Sequence, residues 1–125
     1  MRRGSWVATA AAIVVAATAT PAQACDCAPL TPSEAVAGAD FVFVGTASRQ
    51  LGPKPDEGSP DPVSYAFRVE RVVKGDVKAS ISVQTNNSSD ACGVDFQIGD
   101  RYEVYALDAD GTPFATQCGG THRIS

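Results

Sequence analysis

The chain has 125 residues, with 14 acidic and 10 basic side chains and a formal net charge of −4. The acidic residues are scattered and the basic ones form no stripe, so nucleic acid and anionic membranes are not expected partners. A chain of this length forms one small domain, in which covalent cross-links add usefully to the stability of a limited core.

The first 24 residues have the pattern of a cleaved secretory signal peptide. Two arginines at positions 2 and 3 precede an apolar run over residues 6–18, which is shorter than the ~20 residues of a membrane span. An A-x-A cleavage site ends at Ala24. Cleavage there leaves 101 residues, with 8 basic and 14 acidic side chains and a net charge of −6. We therefore predict a signal peptide over residues 1–24 and a secreted, extracellular domain over 25–125, without membrane contact after cleavage.

The predicted domain begins with one short helix. Thr31 is the expected N-cap, Pro32 suits the first helical position, and Glu34 completes a capping box. The pattern predicts a helix from Pro32 to Ala39.

Five strand segments follow the helix. They are DFVFVGTASR, VSYAFRVERVVKG, ASISVQT, RYEVYAL and TPFATQC, all rich in β-branched and aromatic residues or in alternating polarity. The first is apolar on both faces from Phe41 to Val44, and Gly45 indicates a bulge or a barrel bend. In the second, Tyr65 and Phe67 face one side and Arg68 the other.

Two connections have clear turn chemistry. LGPKPDEGSPDP contains four prolines and two glycines in twelve residues and predicts a surface loop. Asp108 to Gly111 predicts a hairpin turn rather than a calcium loop, because the chain re-enters a strand at Thr112 before further oxygen ligands could follow. Five strands and one helix predict an all-β fold, a five-stranded barrel of the oligonucleotide/oligosaccharide-binding (OB) type, with a small sandwich as the alternative.

The sequence offers little for catalysis. His122 is the only histidine and is expected to be solvent-exposed. A nucleophile needs a positioned base, and a glycosidase needs two carboxylates at a defined separation. We therefore predict a protein that is not an enzyme and needs no cofactor. Two overlapping N-x-S sequons over residues 86–89 are interpreted as a polar loop.

Four cysteines remain after cleavage: Cys25, Cys27, Cys92 and Cys118. In a small exported domain they predict two disulfides rather than a zinc site, whose usual C-x2–4-C spacing C-x-C does not match. A Cys25–Cys27 bond is the least favourable, since such close neighbours do not easily reach disulfide geometry. The other two pairings stay open, and each bond would contribute about 4 kcal/mol by loop entropy. Lipid attachment at Cys25 is disfavoured because Ala22 stands where such sites usually have a Leu-like residue.

Taken together, these motifs resemble the netrin-like (NTR) domain family. The order is C-D-C-A-P at residues 25–29, the capped helix, V-x-K-G at residues 72–75, CGVDF from Cys92, and a last cysteine before Gly-Gly. The arrangement is most similar to the N-terminal domain of the tissue inhibitors of metalloproteinases (TIMP), in a short single-domain form seen in bacteria.

The resemblance implies a five-stranded barrel with disulfides Cys25–Cys92 and Cys27–Cys118. It also implies an inhibitor of secreted zinc metalloproteases, in which the amine and carbonyl of a mature N-terminal Cys25 bind the partner's zinc. Cys27 and Ala28 would then contact the protease together with Asp26 and Pro29. Asp26 departs from the small or apolar residue usual in these inhibitors, which favours an alternative, a non-inhibitory module that binds or adheres to another extracellular protein.

Overall fold

The computed structural model describes residues 25–56 and 58–125, so the predicted signal peptide lies outside the described residues. The chain forms helix α1 (Pro32–Gly38) and strands β1 (Phe41–Leu51), β2 (Val63–Lys74), β3 (Ser80–Thr85), β4 (Arg101–Ala109), β5 (Thr112–Ala115) and β6 (His122–Ile124). Two short 3-10 turns cover Ser89–Ala91 and Gln117–Gly119.

Five of the strands close into a barrel. Their order is β1-β2-β3-β5-β4, and pairing of β4 with β1 completes the circle. Every pairing is antiparallel except that of β3 with β5. The predicted all-β, OB-like barrel is confirmed. Among the described residues no helix is long and apolar enough to cross a membrane.

Strand β6 was not predicted from the sequence. It has only three residues, from His122 to Ile124, and pairs with the start of β4, where Arg101 lies opposite Ile124. So short a strand has no readable alternation, and its conformation depends on the edge that β4 provides.

The predicted bend in β1 is confirmed. The register between β1 and β2 shifts between Val44 and Gly45, at a point where β1 also pairs with β4. A Cβ on Gly45 would lie 2.7 Å from the carbonyl oxygen of Arg68, so only glycine allows the two backbones to approach this closely.

The core is a cluster of aromatic rings inside the barrel. Phe67 packs edge-to-face on Phe43, Phe96 and Tyr102, with ring centroids 4.9–6.2 Å apart. Tyr65 packs on Phe96 in the same manner at 5.3 Å. Such pairs add about 0.5–1.5 kcal/mol each beyond the burial of their area. The alternation predicted for β2 is confirmed, because Tyr65 and Phe67 are buried whereas Arg68 is exposed.

Helix α1 begins as predicted. The amide of Glu34 donates to Thr31 Oγ1 and the amide of Thr31 donates to Glu34 Oε1, which completes the capping box. The bond from the Thr31 amide to the ionised carboxylate, and next a hydrogen bond from the Thr31 side chain, hold the pKa of Glu34 below its usual value. The helix ends at Gly38 with Ala39 as its C-cap, one residue earlier than predicted.

The V-x-K-G motif holds the other end of this helix against the barrel. Lys74 Nζ donates to the carbonyl oxygens of Val36 at 2.9 Å and Ala37 at 3.4 Å in the last turn of the helix. The Val36 oxygen also accepts from the C-cap amide of Ala39. Gly75 follows with φ of 88°, and a Cβ there would lie 2.5 Å from the carbonyl oxygen of Asp40. The motif therefore has a structural role in this chain.

The β4–β5 connection is the predicted hairpin. Asp110 and Gly111 have φ of 54° and 90°, and the amide of Gly111 donates to Asp108 Oδ1 at 2.7 Å. Positive φ at both central positions matches the twist of antiparallel strands.

Candidate functional site

Both disulfides implied by the resemblance are present. Cys25 is bonded to Cys92 and Cys27 to Cys118, with Cα atoms 5.1 and 5.0 Å apart. The sulfurs of Cys25, Cys27 and Cys118 lie within 4.8 Å of one another, as metal ligands would. Because all three are bonded in disulfides, they are not thiolate ligands for a metal.

The N-terminal segment, residues 25–31, lies on the barrel surface. Asp26, Ala28, Pro29 and Leu30 are exposed, whereas the cysteines between them are half-buried. No hydrogen bond joins the backbone of residues 25–30 to another described residue. The two disulfides are therefore the main restraint on this segment, and they hold the predicted contact residues together on one surface.

The Cys25–Cys92 bond places a second loop, residues 88–92, beside this segment. Ser88 Oγ accepts from the amide of Ala91, and Cys92 closes the turn with φ of 66°. The side chain of Gln117 donates to the carbonyl oxygens of Ser89 and Gly93. Loop 88–92 is thus fixed to the turn that carries Cys118, and Ser89 to Ala91 stay exposed.

These loop residues were not predicted as part of the site. The sequence signal that could have indicated them is their position directly before Cys92. That signal becomes meaningful only once the partner of Cys92 is known.

One recess borders loop 88–92 and a second borders the N-terminal segment. One is a cavity of about 490 Å³ that shares Ser88 and Ser89 with the loop and is also lined by Lys54, Tyr65 and Asp95. Burial, and next the charge of Asp95, raise the pKa of Tyr65. The cavity wall therefore combines apolar side chains with one cation, Lys54, and one anion, Asp95.

The second recess is smaller and more apolar, at about 260 Å³. Leu30 and Cys118 connect it to the N-terminal segment, and Leu107 and Phe114 form its far wall. Leu30 and Leu107 are 45% and 51% exposed. The N-terminal segment therefore borders an apolar recess, and loop 88–92 borders a recess that contains charged side chains.

Asp26 stands between the two half-buried cysteines. Its side chain is exposed, and no described residue forms an ion pair or a hydrogen bond with its carboxylate. The carboxylate is therefore free to meet a partner, and any partner must accommodate or neutralise its charge.

His122 lies outside this surface. As predicted it is solvent-exposed, at 55% of its side chain, but it belongs to β6 and stacks on the ring of Tyr105. Its Nδ1 lies 2.8 Å from the carbonyl oxygen of Gly120, and its Nε2 is 3.9 Å from Glu103 Oε1. The hydroxyl of Tyr105 donates to Glu103, and burial together with this bond raises its pKa to about 12. A hydroxyl with a raised pKa is a poor nucleophile at neutral pH.

The sequon segment is a polar loop, as predicted. Asn86 Nδ2 donates to the carbonyl oxygen of Ala91. Asn87 Nδ2 donates to the carbonyl oxygens of Pro55 and Asp56, which ties this loop to the β1–β2 connection. Both amides have structural hydrogen bonds.

Comparison of the chain with models of known protein families and with curated proteins finds no match. The residues of the N-terminal surface and their geometry are therefore the basis for inferring function.

Proposed function

We propose that this protein is a secreted inhibitor of zinc metalloproteases that acts through a mature N-terminal Cys25. The observation that carries the proposal is the double tether of residues 25–31. The Cys25–Cys92 bond and the Cys27–Cys118 bond hold the start of the domain at the surface while Asp26, Ala28 and Pro29 stay exposed.

The chemistry of such a terminus suits a catalytic zinc ion. A catalytic zinc keeps one coordination position for water, and the α-amine and carbonyl of one residue would displace this water as a five-membered chelate on a five-coordinate zinc. An α-amino group has a pKa of about 7.7–8.0 and deprotonates readily beside a dication. Because the disulfide at Cys25 already restrains the terminus, little conformational entropy is lost on binding.

The mechanism requires signal cleavage after Ala24, since one further residue would convert the amine into an amide. The test compares the exported chain that begins at Cys25 with a variant that carries one extra alanine before Cys25. Both are assayed against a panel of exported zinc proteases, and mass spectrometry verifies each N-terminus. We expect the extended variant to inhibit at least about tenfold less well, which corresponds to 1.4 kcal/mol or more.

A chain with one alanine added after Ser125 is the matched control and should inhibit as well as the parent. Equal inhibition by the N-terminally extended chain would exclude chelation by Cys25.

Asp26 supports a second candidate function, a non-inhibitory binding or adhesion module. An unpaired carboxylate loses hydration in an apolar specificity pocket, so an apolar pocket would reject it. The two functions differ in what they require of the N-terminus. Acetylation of the Cys25 amine abolishes zinc chelation but leaves binding of an adhesion partner unchanged.

An Asp26→Ala variant separates the two candidates further. For an inhibitor whose target has an apolar pocket, this change tightens inhibition. For a target with a basic pocket, the same change weakens it.

A further inference from the structure

The two disulfides are in contact with each other. Cys25 Sγ lies 3.6 Å from Cys118 Sγ and 3.8 Å from Cys27 Sγ, close to van der Waals contact for sulfur. Cys27 and Cys118 are the two ends of the second disulfide, and Cys25 is one end of the first. All four cysteines are half-buried, so the sulfur cluster is close to solvent.

A thiolate next to a disulfide sulfur can displace the partner of that sulfur. We propose that this cluster is a thiol–disulfide exchange site, at which a dithiol reductant converts the two native disulfides into a single Cys25–Cys118 disulfide. The proposal does not depend on protease inhibition.

One route begins at the Cys27–Cys118 bond. The reductant transfers two electrons and becomes a disulfide, which leaves Cys27 and Cys118 as thiols. The Cys118 thiolate then attacks Cys25 Sγ, the Cys25–Cys92 bond breaks, and Cys92 leaves as a thiolate that takes up the proton lost by Cys118. The second step forms one disulfide and breaks one, so it needs no further reductant.

The other route begins at the Cys25–Cys92 bond. Once that bond is reduced, the Cys25 thiolate attacks Cys118 Sγ, and Cys27 leaves as a thiolate and takes up the proton lost by Cys25. Both routes end with a Cys25–Cys118 bond and with thiols at Cys27 and Cys92. The routes converge because Cys25 Sγ is in contact with both sulfurs of the second disulfide, and of its two possible new partners Cys27 is too close in sequence to reach disulfide geometry easily.

The exchange alters the N-terminal surface, but Cys25 keeps a covalent link to the barrel. Cys25 remains bonded to the turn at Gln117–Gly119, whereas loop 88–92 loses its covalent link to the N-terminal segment. Limited reduction therefore loosens one side of the surface, and only complete reduction frees Cys25.

The direct test is partial reduction of the exported protein with dithiothreitol, followed by acid quenching, alkylation and peptide mapping of chains that retain one disulfide. We expect Cys25–Cys118 in the majority of these chains. One-disulfide chains that contain only Cys25–Cys92 or Cys27–Cys118, or mainly Cys25–Cys27, would overturn the proposal.

A pair of double variants provides a second measurement that does not require the one-disulfide state to accumulate. Cys27→Ala with Cys92→Ala leaves Cys25 and Cys118, which should be exported as a closed disulfide without free thiols. The matched control, Cys25→Ala with Cys118→Ala, leaves two cysteines whose sulfurs are not in contact and should retain two free thiols. Two free thiols in both proteins would contradict the proposal. If the first variant does not fold, the peptide map of the parent protein decides.

Discussion

Residues 25–31 and the interior of the barrel are held in place by different forces. The N-terminal segment is exposed and has two disulfides as its main restraint, whereas Phe67 and its neighbouring rings are held mainly by packing. Covalent tethering allows the exposed side chains of the segment to vary without loss of core contacts. The barrel can therefore carry an exposed surface whose side-chain chemistry is nearly independent of the stability of the fold.

The largest expected effect is in the core. Phe67→Ala removes a ring that is completely buried among three other aromatic rings, and we expect the free energy of unfolding to fall by about 3–5 kcal/mol. Denaturant titration measures this change in the free energy of unfolding. Ile98→Ala, at a side chain that is 52% exposed, is the control and should change stability by less than about 0.5 kcal/mol. Similar losses in both variants would mean that packing around Phe67 is not the main contribution.

Removal of one tether should cost less than removal of the ring. Cys27→Ala with Cys118→Ala eliminates one disulfide, and we expect a loss of about 2–4 kcal/mol, because the unfolded chain regains the freedom of a loop that spans 91 residues. Amide NMR spectra should show native shifts for the barrel strands and changed shifts for residues 26–31. If strand resonances throughout the barrel also shift, the loss of this disulfide alters the core as well, and the structure of the core depends on the segment.

The helix that follows the segment provides a third, smaller test. Lys74→Met removes the donor to the carbonyl oxygens of Val36 and Ala37, and we expect unfolding to become easier by about 0.5–1.5 kcal/mol. Lys78→Met changes the net charge equally at an exposed position and serves as the control in the same denaturant titration. An equal effect of the two substitutions would attribute the loss to net charge and not to the helix terminus.

The smallest expected effect is the pH dependence of the capping box. Since the pKa of Glu34 is lower in the folded chain than its usual 4.5, its contribution to stability is complete above that value and is lost as the pH falls through the lowered folded pKa. Glu34→Gln keeps an acceptor for the Thr31 amide but does not titrate. Thermal melts between pH 6 and pH 3 should therefore show a slightly shallower acid destabilisation for the variant, and identical slopes would contradict this role.

Much of the fold could be predicted because it depends on local chemistry. The capping box at Thr31, the alternation along β2 and the turn at Asp110 and Gly111 are properties of a few neighbouring residues. Each therefore leaves a short pattern in the sequence, and each prediction is confirmed. Strand β6 leaves no such pattern, because its three residues depend on the edge of β4.

The candidate site was less predictable because it joins distant parts of the chain. The C-x-C motif marked residues 25–29 as important, but the exposed residues of loop 88–92 could not be assigned to the same surface without the position of Cys92. The contact of Lys74 with the end of helix α1 could likewise not be predicted, since its acceptors lie 37 and 38 residues away in the chain.

The amino-acid sequence by itself determined the succession of helix α1, strands β1 to β5 and the β4–β5 turn, and with it the all-β class, because hydrophobic periodicity, capping and turn preferences act over a few residues. Only the tertiary structure decided that the barrel closes between β1 and β4, that loop 88–92 lies beside the N-terminal segment, and that the two disulfides touch. Those features depend on contacts between residues as many as 93 positions apart, and such contacts arise from the packing of the whole chain.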